Sequence, residues 1–228
     1  MRLLTLADFK LRETTSLDSL VPACVQQQFK LLVKQMLMGL PVEPILNNYP
    51  QFRQWILELQ ELSPSLFVPR KKLSVDLPLT ARLELNSSSP SSFKVIEVRT
   101  NVGLFKGKER LFEWGIRNPI LSYSDRVKLW VATERFQLKP DEMQLTVLAL
   151  HPTKAAQKVV FSWNHKQHKR TRNWLINKIT ERENQLAQAA MAIPKTDRDT
   201  DKLVSLADDI ARAIAIANSL DEIDEIPL

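Results

Sequence analysis

Two runs of alternating apolar residues, at 73–85 and 93–100, are separated by Asn86-Ser87-Ser88-Ser89-Pro90-Ser91-Ser92. Apolar residues at every second position line one face of a strand. A cluster of Asn, Ser and Pro between two such runs reads as a turn, so the middle of the chain is expected to be an antiparallel hairpin with an irregular loop. One face of such a hairpin must be covered, and the flanking sequence supplies the cover.

Before the hairpin, residues 21–38 carry Val21, Cys24 or Val25, Phe29, Leu32 and Met36 at helical spacing, stopped by Gly39-Leu40-Pro41. Residues 49–62 repeat the pattern with Phe52, Trp55, Ile56 and Leu59. After it, residues 101–120 hold three of the four glycines and read as a loop with one short helical piece near 110–115. A helix over 125–136 with Val127, Trp130, Val131 and Thr133 inward is followed by strands at 144–150 and 158–163. Asn164 is placed to cap a helix running to about residue 192, and Pro194 ends it. A last helix over 199–220 has one apolar stripe, Leu203, Leu206, Ile210, Ile214, Ala217 and Leu220. The expected fold class is α/β, a mixed central sheet flanked by helices with an added C-terminal helix. Residues 1–194 are expected to form the α/β domain, and residues 195–228 an acidic amphipathic helix and tail.

The net charge of +6 is unevenly spread. Residues 197–228 hold nine acidic side chains against three basic ones, a net of −6, which leaves +12 on residues 1–196. A basic body of that size favours a polyanionic partner, because each phosphate contact releases counterions. Apolar runs such as 145–150 and 159–161 are far shorter than the roughly 18 residues of a membrane span, so a soluble, cytoplasmic protein without membrane contact is expected. The single cysteine, Cys24, excludes an internal disulfide and a cysteine-built metal centre. It reads as a small hydrophobe on the helix.

The strand at 93–100 ends in Glu97-Val98-Arg99, one charge-conserving step from the carboxylate-x-lysine pair of metal-dependent nucleases. There the carboxylate binds Mg²⁺ and the lysine positions the attacking water. Arginine keeps the charge but does not readily release a proton.

Phe29-Lys30-Leu31-Leu32 followed by Gly39-Leu40-Pro41-Val42-Glu43-Pro44, the Trp55 helix, the strand 95–100, the stretch 126–134, and Phe161-Ser162-Trp163 running into Gln167-His168-Lys169-Arg170-Thr171 resemble, in order and spacing, the RecB-like PD-(D/E)XK nuclease family, over roughly residues 20–185. The resemblance implies a restriction-endonuclease-like core. It also implies losses. Lys30 stands where the family's first helix offers a histidine or glutamate near the metal, and Arg82 where a metal-binding aspartate is expected. Glu97-x-Arg99 replaces the carboxylate-x-lysine, and Ser124 and Lys128 replace the glutamine and tyrosine of the following helix. The iron–sulfur cysteines are missing.

Lys30, Arg82, Arg99 and Lys128 are therefore expected to line one cationic cleft that holds a phosphate without hydrolysing it, unless they pair with Glu84, Glu97 and Asp125 instead. The basic run at 165–172 adds Lys166, Lys169, Arg170 and Arg172 as nucleic-acid contacts. Trp114 and Trp163 are expected in the core, and His165 with His168 lacks the partners of a metal site. The leading expectation is a catalytically inactive nuclease-fold protein that binds DNA or RNA, with no cofactor, as an accessory or subunit of a nucleic-acid-processing complex with other proteins. One alternative is a divergent Mg²⁺-dependent nuclease using Glu84 and Glu97, with Arg99 positioning water and Asp76 as a further ligand. The other is a protein-interaction module acting through the acidic C-terminal helix.

Overall fold

The computed structural model describes residues 3–9, 20–68, 73–85, 93–104 and 109–191. The helix expected over 199–220 lies outside the described residues. The chain divides into two compact units, residues 1–180 and 181–228. The sheet and both of its cores lie in the first.

Three helices, α1 (Ala23–Leu37), α2 (Glu43–Asn48) and α3 (Pro50–Leu62), follow a short strand, β1 (Leu3–Leu4). They lead into β2 (Leu73–Glu84), β3 (Phe93–Leu104) and β4 (Glu109–Ile116). Helix α4 (Tyr123–Phe136), strands β5 (Met143–Leu150) and β6 (Gln157–Ser162), and helix α5 (His165–Met191) complete the order. The six strands form one mixed sheet. The β2–β3 and β3–β4 pairs are antiparallel; β4 and β5 are parallel, joined by the α4 crossover, and β6 runs antiparallel at the far edge. This is the mixed α/β class expected from the sequence. Among the described residues, no helix is long and apolar enough to cross a membrane.

Helix α4 is specified locally. The Ser122 hydroxyl accepts from the Asp125 N–H, and the Asp125 carboxylate accepts from the Ser122 N–H, a reciprocal cap that satisfies two end donors. Asn164 caps α5 as expected, its side chain accepting from the Gln167 N–H at 2.9 Å.

Two cores sandwich the sheet. One, under α4 and α5, holds Leu79, Leu83, Ile96, Val98, Trp130, Trp163 and Leu175; the other, under α1 and α3, holds Phe29, Trp55, Leu59, Val102, Phe112, Trp114 and Ile116. The long hairpin strands serve both. Leu73 and Val75 pack with the α1–α3 core, whereas Leu77, Leu79, Ala81 and Leu83 belong to the α4 core. All are odd-numbered, so a regular strand would send them to one face. The exchange falls at Asp76, whose φ is +52°. It is the one step the ladder skips: Val75 pairs with Val102 and Leu77 with Thr100. In β3 the same exchange separates Ile96 and Val98 from Val102.

Two expectations are corrected. Residues 109–116 form a strand, not a loop with a helical piece. Leu111 faces one core and Phe112, Trp114 and Ile116 the other, and a strand buried on both faces has no simple polar–apolar alternation. Cys24 is exposed rather than packed inward, because the α1 face that packs is set by Phe29, Leu32 and Val33.

Candidate functional site at a fork in the sheet

Strands β3 and β4 pair only over residues 102–104 and 110–112. Beyond that, β4 stays with β5 for its full length, while β3 continues along β2 and takes β1 on its freed edge, Leu3 opposite Val95. The sheet therefore forks, and Asn101 and Glu113 are the first residues past the last pair. Backbone groups at a fork lose ladder partners and must find others. The Asn101 N–H donates to Glu113 Oε1 at 3.2 Å, and Asn101 Nδ2 donates to the Trp114 carbonyl at 2.9 Å.

The other Glu113 oxygen meets Lys128 Nζ of α4 at 2.8 Å, with the two side chains only 7% and 12% exposed. Two residues on, Gly115 lies beside Lys30 of α1: a Cβ at that position would make ordinary contact, 3.6 Å from Lys30 Cε. The fork thus holds one buried carboxylate, an amide beside it and lysines from two helices. A hard divalent ion needs several converging oxygens, and here both carboxylate oxygens already receive hydrogens.

A second buried pair sits where β4 leads into α4. Arg117 grips Asp125 through both nitrogens, at 2.6 and 3.0 Å, with Asp125 1% exposed. Burial pushes the Asp125 carboxyl up. The Arg117 hydrogen bonds and charge, the Ser122 N–H and the nearby Lys128 outweigh it and hold the carboxyl below its ordinary value. A third, exposed cluster lies at the strand exchange, where Asp76 meets Lys34 at 2.6 Å and Arg99 at 3.3 Å. The Lys34 hydrogen bond, against partial burial and with help from both positive charges, keeps Asp76 below its usual value.

The cations expected to share one cleft are thus divided. Lys30 and Lys128 flank the fork. Arg82 is exposed with its guanidinium 4.8 Å over the Phe93 ring, and Arg99 turns to Asp76. Neither Glu84 nor Glu97 is the acid that Arg99 or Lys128 meets; those acids are Asp76 and Glu113. Glu84 lies opposite Phe93 and Glu97 opposite Thr80. They are therefore four residues, about 13 Å, apart along the hairpin. Closing both on one ion at about 2.0–2.6 Å would require both side chains extended toward each other. Among the described residues no three His, Cys, Asp or Glu side chains are grouped to hold a metal.

Ser124 is buried against Ser122, Oγ to Oγ 2.8 Å. Lys166, Lys169 and Arg170 are exposed on α5, and Arg172 donates to the Glu84 carbonyl. His168 lies against Glu134 at 2.8 Å and receives the Trp163 N–H, a structural rather than metal-binding setting. Trp114 and Trp163 are buried, as expected.

No protein-family profile matches the chain, and no curated protein matches it. Among solved structures it is similar to the crystal structure of SSO0001, with 9% identity over 78% of this chain and 75% of that one, and a TM-score of 0.40. That likeness is too slight to carry an argument.

Sequence reading misses Asn101, Glu113 and Gly115, because the segment holding them reads as a loop. The signal is a lone acid inside Leu111-Phe112-Glu113-Trp114-Gly115-Ile116. A charge in so apolar a run needs a buried partner.

Proposed function

We propose that this protein holds DNA or RNA without cutting it, as an accessory or subunit of a nucleic-acid-processing complex. The observation that carries this reading is the fork. A carboxylate-x-glycine, Glu113-Trp114-Gly115, ends β4 beside an amide, Asn101, and Lys128 neutralises the one carboxylate present. A nuclease of the type the sequence resembles needs at least two carboxylates on the metal and a lysine beside them. This fork has the charge balance of a site that has exchanged metal ligands for cations. The basic body supports a polyanionic partner, and exposed Lys166, Lys169 and Arg170 supply phosphate contacts.

The test is fluorescence anisotropy of labelled single-stranded and duplex DNA and RNA against the full-length protein over a salt series. Binding whose affinity falls steeply and log-linearly with salt is expected. No binding to any of the four at low salt would refute the proposal.

A further inference from the structure

Tyr123, the first residue of α4, is a large aromatic left half exposed, at 51%. Its ring stacks on Trp174 of α5, with centroids 5.3 Å apart and planes 24° from parallel. Trp174 in turn rests on Phe9, at 6.0 Å, so the stack is anchored from beneath. Arg126, one turn along α4, holds its guanidinium over the Tyr123 ring, 5.5 Å from its centre. Tyr123, Arg126, Arg170, Thr171 and Trp174 together line a shallow depression of about 80 Å³. Neither Arg126 nor Arg170 pairs with a carboxylate among the described residues. The nearest acid in sequence, Asp125, is buried and held by Arg117.

A half-exposed aromatic ring braced from behind, beside two guanidinium groups that meet no carboxylate among the described residues, joins a π-surface to positive charge. Alone, each element is ordinary; together they match what an unpaired nucleotide needs. A base offers a π-face to the ring, and its flanking phosphate offers oxygens to a planar fork of donors. A duplex keeps its bases stacked inside and presents only phosphates here. We infer that this depression is a stacking subsite for single-stranded nucleic acid, in which one unpaired base takes the place of the Arg126 guanidinium on the Tyr123 ring, and Arg126, turned aside, and Arg170 take the neighbouring phosphates. The inference rests on the proposed nucleic-acid binding and narrows it to unpaired strands.

The test uses the full-length protein and a short single-stranded oligonucleotide carrying 2-aminopurine, an adenine analogue whose fluorescence is quenched by stacking. A duplex of the same sequence serves as the comparison. Wild type should quench the probe. Tyr123→Ala should abolish the quenching and weaken single-strand binding roughly 5- to 150-fold, leaving duplex affinity within twofold. Tyr123→Phe, which keeps the ring, should retain both signals, so a fold defect is not mistaken for a lost contact. Arg170→Gln should lower the salt slope by about one. Unchanged single-strand binding and quenching in Tyr123→Ala, or an equal loss on duplex, would overturn the subsite while leaving nucleic-acid binding intact. Absence of binding to any nucleic acid would overturn both.

Discussion

The fork and the Asp76 cluster are built from the same parts, an acid facing cations, yet they differ in what surrounds them. At the fork Glu113 and Lys128 are almost closed off from water, at 7% and 12% exposure. At the strand exchange Asp76, Lys34 and Arg99 are 34%, 36% and 60% exposed. Taking a charge out of water makes its partner indispensable, whereas an exposed pair is screened and replaceable. The buried charges therefore fix where β4 and α4 sit, and the exposed ones contribute little to the fold.

The largest break in that contrast should come from Arg117→Ala. It strands Asp125, the most deeply buried acid among the described residues, and should cost about 3–5 kcal/mol in urea unfolding. Lys128→Ala should cost about 3 kcal/mol, at the lower end of that range, since Glu113 keeps the Asn101 N–H. Adding Glu113→Gln to Lys128→Ala should recover part of this loss, because no uncompensated buried charge then remains. Acid should act through the Arg117–Asp125 pair as well. The folded Asp125 carboxyl sits below its unfolded value of 3.8, so its contribution is complete above that pH. It is lost as pH falls from 3.8 toward the lower folded value. In Asp125→Asn this acid-dependent loss should shrink, which a urea series at several pH values would read.

Smaller effects are expected on the exposed side. Asp76→Asn, which tolerates the positive φ but loses both ion pairs, should shift stability by less than about 1 kcal/mol. Gly115→Ala should be smaller still, within about 0.5 kcal/mol. The added methyl makes ordinary contact with Lys30 Cε, and the reduced freedom of the unfolded chain offsets part of any crowding. Thermal melts would read both, and a loss from Asp76→Asn as large as that from Arg117→Ala would erase the distinction between the two regions.

Much of the fold is legible in the sequence because its signals are local. The alternation of β2 and β3, the Asn164 cap and the apolar stripes of α1 and α3 each declare an element within a dozen residues. Strand β4 is not legible, because burial on both faces removes the alternation by which a strand is recognised. With β4 taken for a loop, Glu113 goes unread, and Glu97 with Arg99 on β3 is the carboxylate-x-cation pattern that stands out. The face exchange at Asp76 is equally hidden. A positive φ at an aspartate leaves no mark on the apolar pattern, and it sends Arg99 to Asp76 rather than toward Lys128. The Tyr123–Trp174 stack joins residues fifty-one positions apart in the chain, a distance over which sequence pattern carries no contact information.

The most direct test of the central claim incubates end-labelled single-stranded and duplex DNA and RNA with the full-length protein at low salt, with Mg²⁺ or Mn²⁺ present. Native and denaturing gels are then read side by side. The account predicts retarded bands on the native gel and full-length strands on the denaturing one. Shortened products that disappear in Glu97→Ala or in Glu113→Gln would contradict it.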